Sequence, residues 1–366
     1  LDKSIKSAFL CLLKLIMFTK GNSVLKQAKR NNIFADVKNM RILRFAFGVT
    51  FACAIAYGIT WPLAFLMPVF TALILAMPLP KPSVQASLNN MLSTLKAFAL
   101  GLAFSLFFLQ YPIAYLMTLG LVLFHLYYYL NRGGSFWFTL MSMIAILVLP
   151  MIANSHEGLA IGFSVGFVYS SWLTIAVIWL AHFIFPDPNF TQFPIKPKYY
   201  NGYSKKAAQL ALKSTLVVFP IAALFITYDM VDYILVMVFS AIFILKPDLS
   251  QGKEAGRNSL LSTLLGGVFA WIFYWLIVAV PQFNFYLLLL LATTLFFGRH
   301  VFSGSNMAKY YSSGFIALLV IINSAMAENS NFNEIFIQRV LLISAAILYI
   351  VSTLKILERY FFKAKV

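Results

Sequence analysis

From residue 41 onward the chain alternates between apolar runs of roughly 16–25 residues and short polar breaks, lengths suited to helices that cross a bilayer. The runs do not alternate apolar with polar, which argues against the strands of a membrane barrel. Twelve spans are predicted: 41–60, 62–77, 88–110, 112–130, 136–153, 159–185, 207–227, 231–246, 257–280, 283–299, 308–324 and 334–358. Before them, Ile5, Phe9, Leu12, Leu13 and Ile16 recur at helical spacing, with Lys3, Lys6 and Lys14 on other faces. That stretch is too short to span, and predicts an amphipathic helix on the inner surface within a basic segment, 1–40.

One stretch occurs twice. Phe70–Leu95 and Phe239–Leu264 align without a gap at an offset of 169 residues: Phe70 with Phe239, Pro78 with Pro247, Asn89 with Asn258, and Leu-Ser-Thr-Leu 92–95 with 261–264. Pro112 falls on Pro281 in the same register. The chain therefore reads as an all-α polytopic membrane protein of about 12 helices in two six-helix repeats, 41–185 and 207–366, the second ending in a basic tail. The linker 186–206, rich in Pro, Lys and Tyr, joins them.

Composition supports the membrane class. Of 366 residues, 61% are hydrophobic and 11% charged, with a mean hydropathy of +0.85; soluble domains carry about 25% charged residues. The net charge of +17 is distributed by side rather than along one face. Alternate loops hold Lys81, Arg132, Lys196, Lys198, Lys205, Lys206, Lys246, Lys253, Arg257, Arg299 and Lys309; the others hold Glu157, Asp229, Asp232 and Glu328. The first set is assigned to the cytoplasm, with both termini. Six spans per half return the chain to the same side, so the repeats are parallel, related about the membrane normal. The charge is read as lipid-facing, with anionic lipids as partners rather than nucleic acid. Cys11 and Cys53 make no disulfide framework, and Cys53 reads as a packing residue.

Candidate chemistry is sparse. No hydrolase, nucleotide-binding, zinc or redox motif is present, so an enzyme is not expected, nor a cofactor or metal. His125, inside the fourth span, is a candidate for a proton or substrate role, against a plain helix–helix hydrogen bond. Arg44 and Lys213, at equivalent positions, read as snorkelling anchors. Lys96 lies about two turns into its span, where a cation must face protein or water. Asn89 and Asn258 are expected to open the third and ninth helices as N-caps, and helix N-termini at membrane depth attract anions. The short second and eighth spans end at Pro78 and Pro247, and matched broken spans mark transporter pathways. A route between the halves is expected to be lined by Thr71, Asn89 and Thr94 and by Ser240, Asn258 and Thr263. Arg257 and Lys96 would supply positive potential on its cytoplasmic approach.

These features resemble the fusaric acid resistance and aromatic acid exporter (FUSC-like) family. The third helix of a half in that family begins with an Arg-containing segment running into Gly-Thr. Gly256-Arg257-Asn258-Ser259-Leu260-Leu261-Ser262-Thr263 looks like a worn version, while 89–95 lacks the Arg. The linker is too short for the cytoplasmic domain of larger members, which makes this a compact, membrane-only form. The resemblance implies a bacterial inner-membrane exporter of small organic anions such as aromatic acids, working with a periplasmic membrane fusion protein, and open to homo-oligomer formation. A passive anion channel on the same scaffold, and a membrane assembly subunit without transport, are the alternatives.

Overall fold

A computed structural model describes residues 37–60, 63–186, 199–230, 249–327 and 332–360. The amphipathic segment, the span 231–246 with Ser240, and most of the linker lie outside the described residues. Eleven helices are described: α1 (Val37–Gly58), α2 (Leu66–Leu75), α3 (Val84–Phe108), α4 (Pro112–Asn131), α5 (Phe136–Ser155), α6 (Glu157–Ile184), α7 (Lys205–Thr227), α8 (Leu249–Ala279), α9 (Phe283–Val301), α10 (Ala308–Ala327) and α11 (Phe332–Tyr360). Nine are long and apolar enough to cross a membrane, and no strand occurs among the described residues. The protein is a multi-pass helical membrane protein.

Helix starts follow local chemistry. Ser83, Ser135 and Ser204 cap α3, α5 and α7, each accepting from the amide three residues on, at 3.2, 3.3 and 3.3 Å. Pro112 occupies the first turn of α4, where its missing N–H costs nothing. Two starts correct the sequence expectation. α3 begins at Val84 and α8 at Leu249, ahead of the predicted 88 and 257. Asn89 and Asn258 therefore lie inside helices and cap nothing.

The described helices form two compact units, neither of them a contiguous half of the chain. Unit one gathers α1, α2, α6 from Ser170, α8 from Ser262, α9 and α10. Unit two gathers α3, α4, α5, α6 to Tyr169, α7, α8 to Leu261, and α11 from Phe336.

In unit one, α1 packs on α2 and α9, and α10 packs on α2 and α9. Small residues set the approach. Gly48 of α1 leaves room for Leu75 of α2, and its missing Cβ would stand 3.6 Å from Thr71 and 3.5 Å from Ala181 of α6. Gly266 of α8 lies directly against the backbone carbonyl of Gly314 in α10. Phe45 meets Phe302 and Phe315 edge-on, at centroid distances of 6.2 and 5.3 Å.

In unit two, α3 packs on α5, and α4 on α7 and α5. Its core draws Leu119, Leu123 and Tyr127 from α4, Val217 and Val218 from α7, and Ala346 and Ile350 from α11. Gly101 permits the α3–α5 approach, since a Cβ there would come within 2.7 Å of Ala145. Pro220 interrupts the backbone ladder of α7, and the Tyr349 hydroxyl of α11 donates to the nearby Val217 carbonyl at 2.7 Å.

Shifted by the 169-residue offset, α1 overlies α7 and α4 overlies α9. The α1–α9 pair of unit one then corresponds to the α7–α4 pair of unit two. Likewise Gly48 beside Ala181 corresponds to Val217 beside Tyr349, to within a residue. Thr60 and Asp229, with φ of 53° and 50°, are the only non-glycine left-handed residues among those described, and stand at the same offset.

Candidate functional site

The structure concentrates irregular backbone at α2. This helix has 10 residues, about 15 Å of rise against a hydrocarbon core of about 30 Å. Pro78, Pro80 and Pro82 then hold 77–83 out of helix until Ser83 caps α3. Most of α2 is buried, Met67, Thr71 and Ala72 almost completely. Two hydroxyls converge on one α2 carbonyl: Thr71 donates to Met67 O at 2.8 Å, and Thr174 of α6 reaches the same oxygen at 3.4 Å while donating to Ser170 O at 2.8 Å. Beyond the break, Lys81 lies 4.7 Å over the Trp179 ring.

α1 carries the polar residues Arg44, Thr50 and Cys53, all buried, and Tyr57, half-buried; the last three lie on one face, whose Cys53 and Tyr57 meet α9 and α10. Arg44 is 4% exposed, so it is a buried cation, not the lipid-facing anchor the sequence suggested; Lys213 is half-buried. Thr50 is fully buried, and its hydroxyl has no hydrogen-bond partner among the described residues. Further along, Cys53 and Tyr286 share a hydrogen bond at 3.2 Å, and Tyr57 donates to Asn323 Oδ1 at 2.9 Å. The Tyr57 and Tyr286 rings are 6.1 Å apart. α1, α9 and α10 are thus joined inside unit one by thiol, phenol and amide groups without a carboxylate.

The remaining expected residues are dispersed. Thr94 is buried in unit two, donating to Asn90 O and accepting from Trp137 Nε1, both at 3.0 Å. Asn89 and Lys96, seven residues apart on one face of α3, are exposed, and Gln85 donates to Asn89 at 3.4 Å. Arg257 is exposed on α8; Asn258 is half-buried, its Oδ1 covered and without a partner among the described residues. Thr263 is buried in unit one. Thr71 and Thr263 thus belong to unit one, and Asn89, Thr94, Lys96, Arg257 and Asn258 to unit two. His125 is exposed, and its Nδ1 bonds to its own helix at Leu121 O, 2.8 Å away. The buried histidine is His182 of α6, 2.9 Å from Ile178 O. A helix that is apolar all round gives no sequence sign of which histidine faces protein. Among the described residues, no group of three or more His, Cys, Asp or Glu could hold a metal.

The fold and this polar interior define a multi-pass membrane protein with a short helix buried in one of its units. Residues 41–181 match the model of a family described as a protein of unknown function (DUF2955). The match starts inside α1 and stops inside α6, over the first six predicted spans. No curated protein and no solved structure matches the chain.

Proposed function

We propose that the protein is a transporter moving small organic anions across the bacterial inner membrane, built as a tandem duplication of six spans whose two copies interleave. The observation that carries the transport reading is α2, a 10-residue helix buried in unit one and ending in a Pro-rich break. A 10-residue helix covers about half the hydrocarbon core, so one of its ends falls at membrane depth, where free backbone is tolerated only inside protein or beside water, and short helices of this kind mark transporter substrate sites. The anionic class follows from the charges. Lys96 and Arg257 stand exposed on membrane helices of unit two, whereas α1, α2, α9 and α10 contain no Asp or Glu. The duplication is supported by the matched helix pairs, by Thr60 and Asp229, and by a family match that covers the first copy.

The test is flux from liposomes loaded with labelled benzoate. The intact protein is expected to release it several-fold faster than empty vesicles. Lys96→Gln combined with Asn89→Leu should lower that rate about tenfold, in the range of lost charge-assisted contacts. A rate equal to empty vesicles refutes transport of this anion class; wild-type flux in the double variant removes α3 from the route.

Orientation carries its own prediction. In a Cys11→Ser background, a cysteine at Ser155 is expected to react with an impermeant thiol reagent added outside cells, and one at Asn201 only after lysis. Both positions are exposed, while native Cys53 is buried and silent. Labelling of Asn201 first would invert the topology.

A further inference from the structure

In unit two the end of α4 and the approach to α7 meet around Arg132. Its guanidinium lies over the Tyr128 ring at 5.1 Å and the Tyr199 ring at 4.9 Å. Its Nε donates to Tyr200 O at 2.7 Å, and the Tyr200 amide donates back to Arg132 O at 3.0 Å. Tyr128 is itself held, its hydroxyl accepting from the Ser204 amide at 3.2 Å. Tyr129 packs on Tyr199 and Phe138, with centroids 5.6 and 5.9 Å apart. The turn depends on Gly133, whose φ of 85° most side chains avoid.

This cage holds the guanidinium by two tyrosine rings and by one nitrogen. Its two terminal Nη groups make no hydrogen bond among the described residues. A clamped guanidinium with its fork open is prepared for an oxyanion, because the ordering cost is met before the ligand arrives. Neither 126–138 nor 199–210 contains an Asp or Glu to compete for it. Lys205 and Lys206 are exposed at the start of α7.

The surroundings select a lipid over a soluble anion. Two membrane helices end here, which puts the cage at headgroup level. Tyr200 and Tyr203 are exposed, in the manner of interfacial aromatics. Leu212 and Leu216 continue the exposed surface along α7 as an apolar track for an acyl chain. The geometry points to a binding site for the phosphodiester of an anionic membrane lipid. The Arg132 fork takes the two non-bridging oxygens, and Lys205 and Lys206 supply the field that favours a net-negative headgroup. This site is separate from α2 and stands whether or not the protein transports anions.

Native mass spectrometry of the intact chain in detergent reads it directly. Phosphatidylglycerol is expected to bind about tenfold more tightly than phosphatidylcholine, the excess expected of charge-assisted bonds. Arg132→Lys keeps the charge but not the fork, and should lose most of that preference. Lys205→Gln with Lys206→Gln, outside the cage, should lower it several-fold without changing the unfolding temperature in lipid-free detergent. Equal phosphatidylglycerol binding by wild type and Arg132→Lys overturns the proposal. So does displacement of the lipid by millimolar inorganic phosphate or benzoate, which would make this a site for soluble anions. If Arg132→Lys fails to fold, an unchanged preference in the Lys205/Lys206 variant overturns it instead.

Discussion

Residues 1–192 expressed without the rest of the chain are expected to be degraded or aggregated, and residues 193–366 alone likewise. The two co-expressed as separate chains are expected to be recovered together as one complex. In the intact protein α1 and α2 bury their faces against α9 and α10, and α4 packs on α7. The first piece therefore keeps Phe45 but loses Phe302 and Phe315, and keeps Leu119 and Leu123 but loses Val217 and Val218. It also leaves Cys53 and Tyr57 without Tyr286 and Asn323, and a buried polar side chain stripped of its partner costs about 1–3 kcal/mol. Losses of this size lower cellular abundance by about tenfold or more. Size-exclusion chromatography and pull-down of one tagged piece by the other provide the measurement. A half that is monodisperse and unfolds cooperatively by itself would show that the contiguous segments are the folding units.

Gly266→Ala and Gly162→Ala make the same chemical change and are expected to move stability in opposite directions. Both replace a helical glycine, which by propensity alone stabilises by about 1 kcal/mol. At Gly162 the added methyl meets nothing within 4 Å, so the gain is kept. At Gly266 it would run into the Gly314 carbonyl oxygen, a backbone atom that no rotamer change can move, with Ala317 Cβ 3.1 Å away. α8 and α10 must then separate along their contact, at an overpacking cost of about 3 kcal/mol. Ser262 and Ala270, one turn to either side and both buried, would lose their packing too. Thermal unfolding in detergent checks this. A Gly266→Ala midpoint at or above wild type would mean the helices are not in contact there.

Hydrophobic run lengths located the helices well: α4, α5, α9 and α10 start where the apolar segments start. They failed at α3 and α8, whose first turns are polar. Val84 to Ser87 fell outside the predicted span by hydropathy, yet Ser83 nucleates helix through them. That early start is why Asn89 and Asn258 lost their capping role. Burial was less legible still. In lipid both faces of a helix are apolar, so periodicity cannot separate the face of His125 from that of His182. Nothing in α1 names α9 as its neighbour either. The small residues that mark close approach, Gly48, Gly101, Gly266 and Gly314, were the available signal.

The pairing of early with late helices sets a timetable for synthesis. α1 is complete at Gly58, but α9, against which it packs, begins at Phe283. At the usual 5–20 residues per second, the polar face from Thr50 to Tyr57 waits about 10 to 45 s for its cover. During that interval the insertion machinery, rather than the protein, must shelter a row of polar groups from the hydrocarbon. The nascent chain is therefore most vulnerable to quality-control proteolysis between the emergence of α2 and that of α10, and slowing translation after Ile184 should deplete it more than slowing it after Ala327.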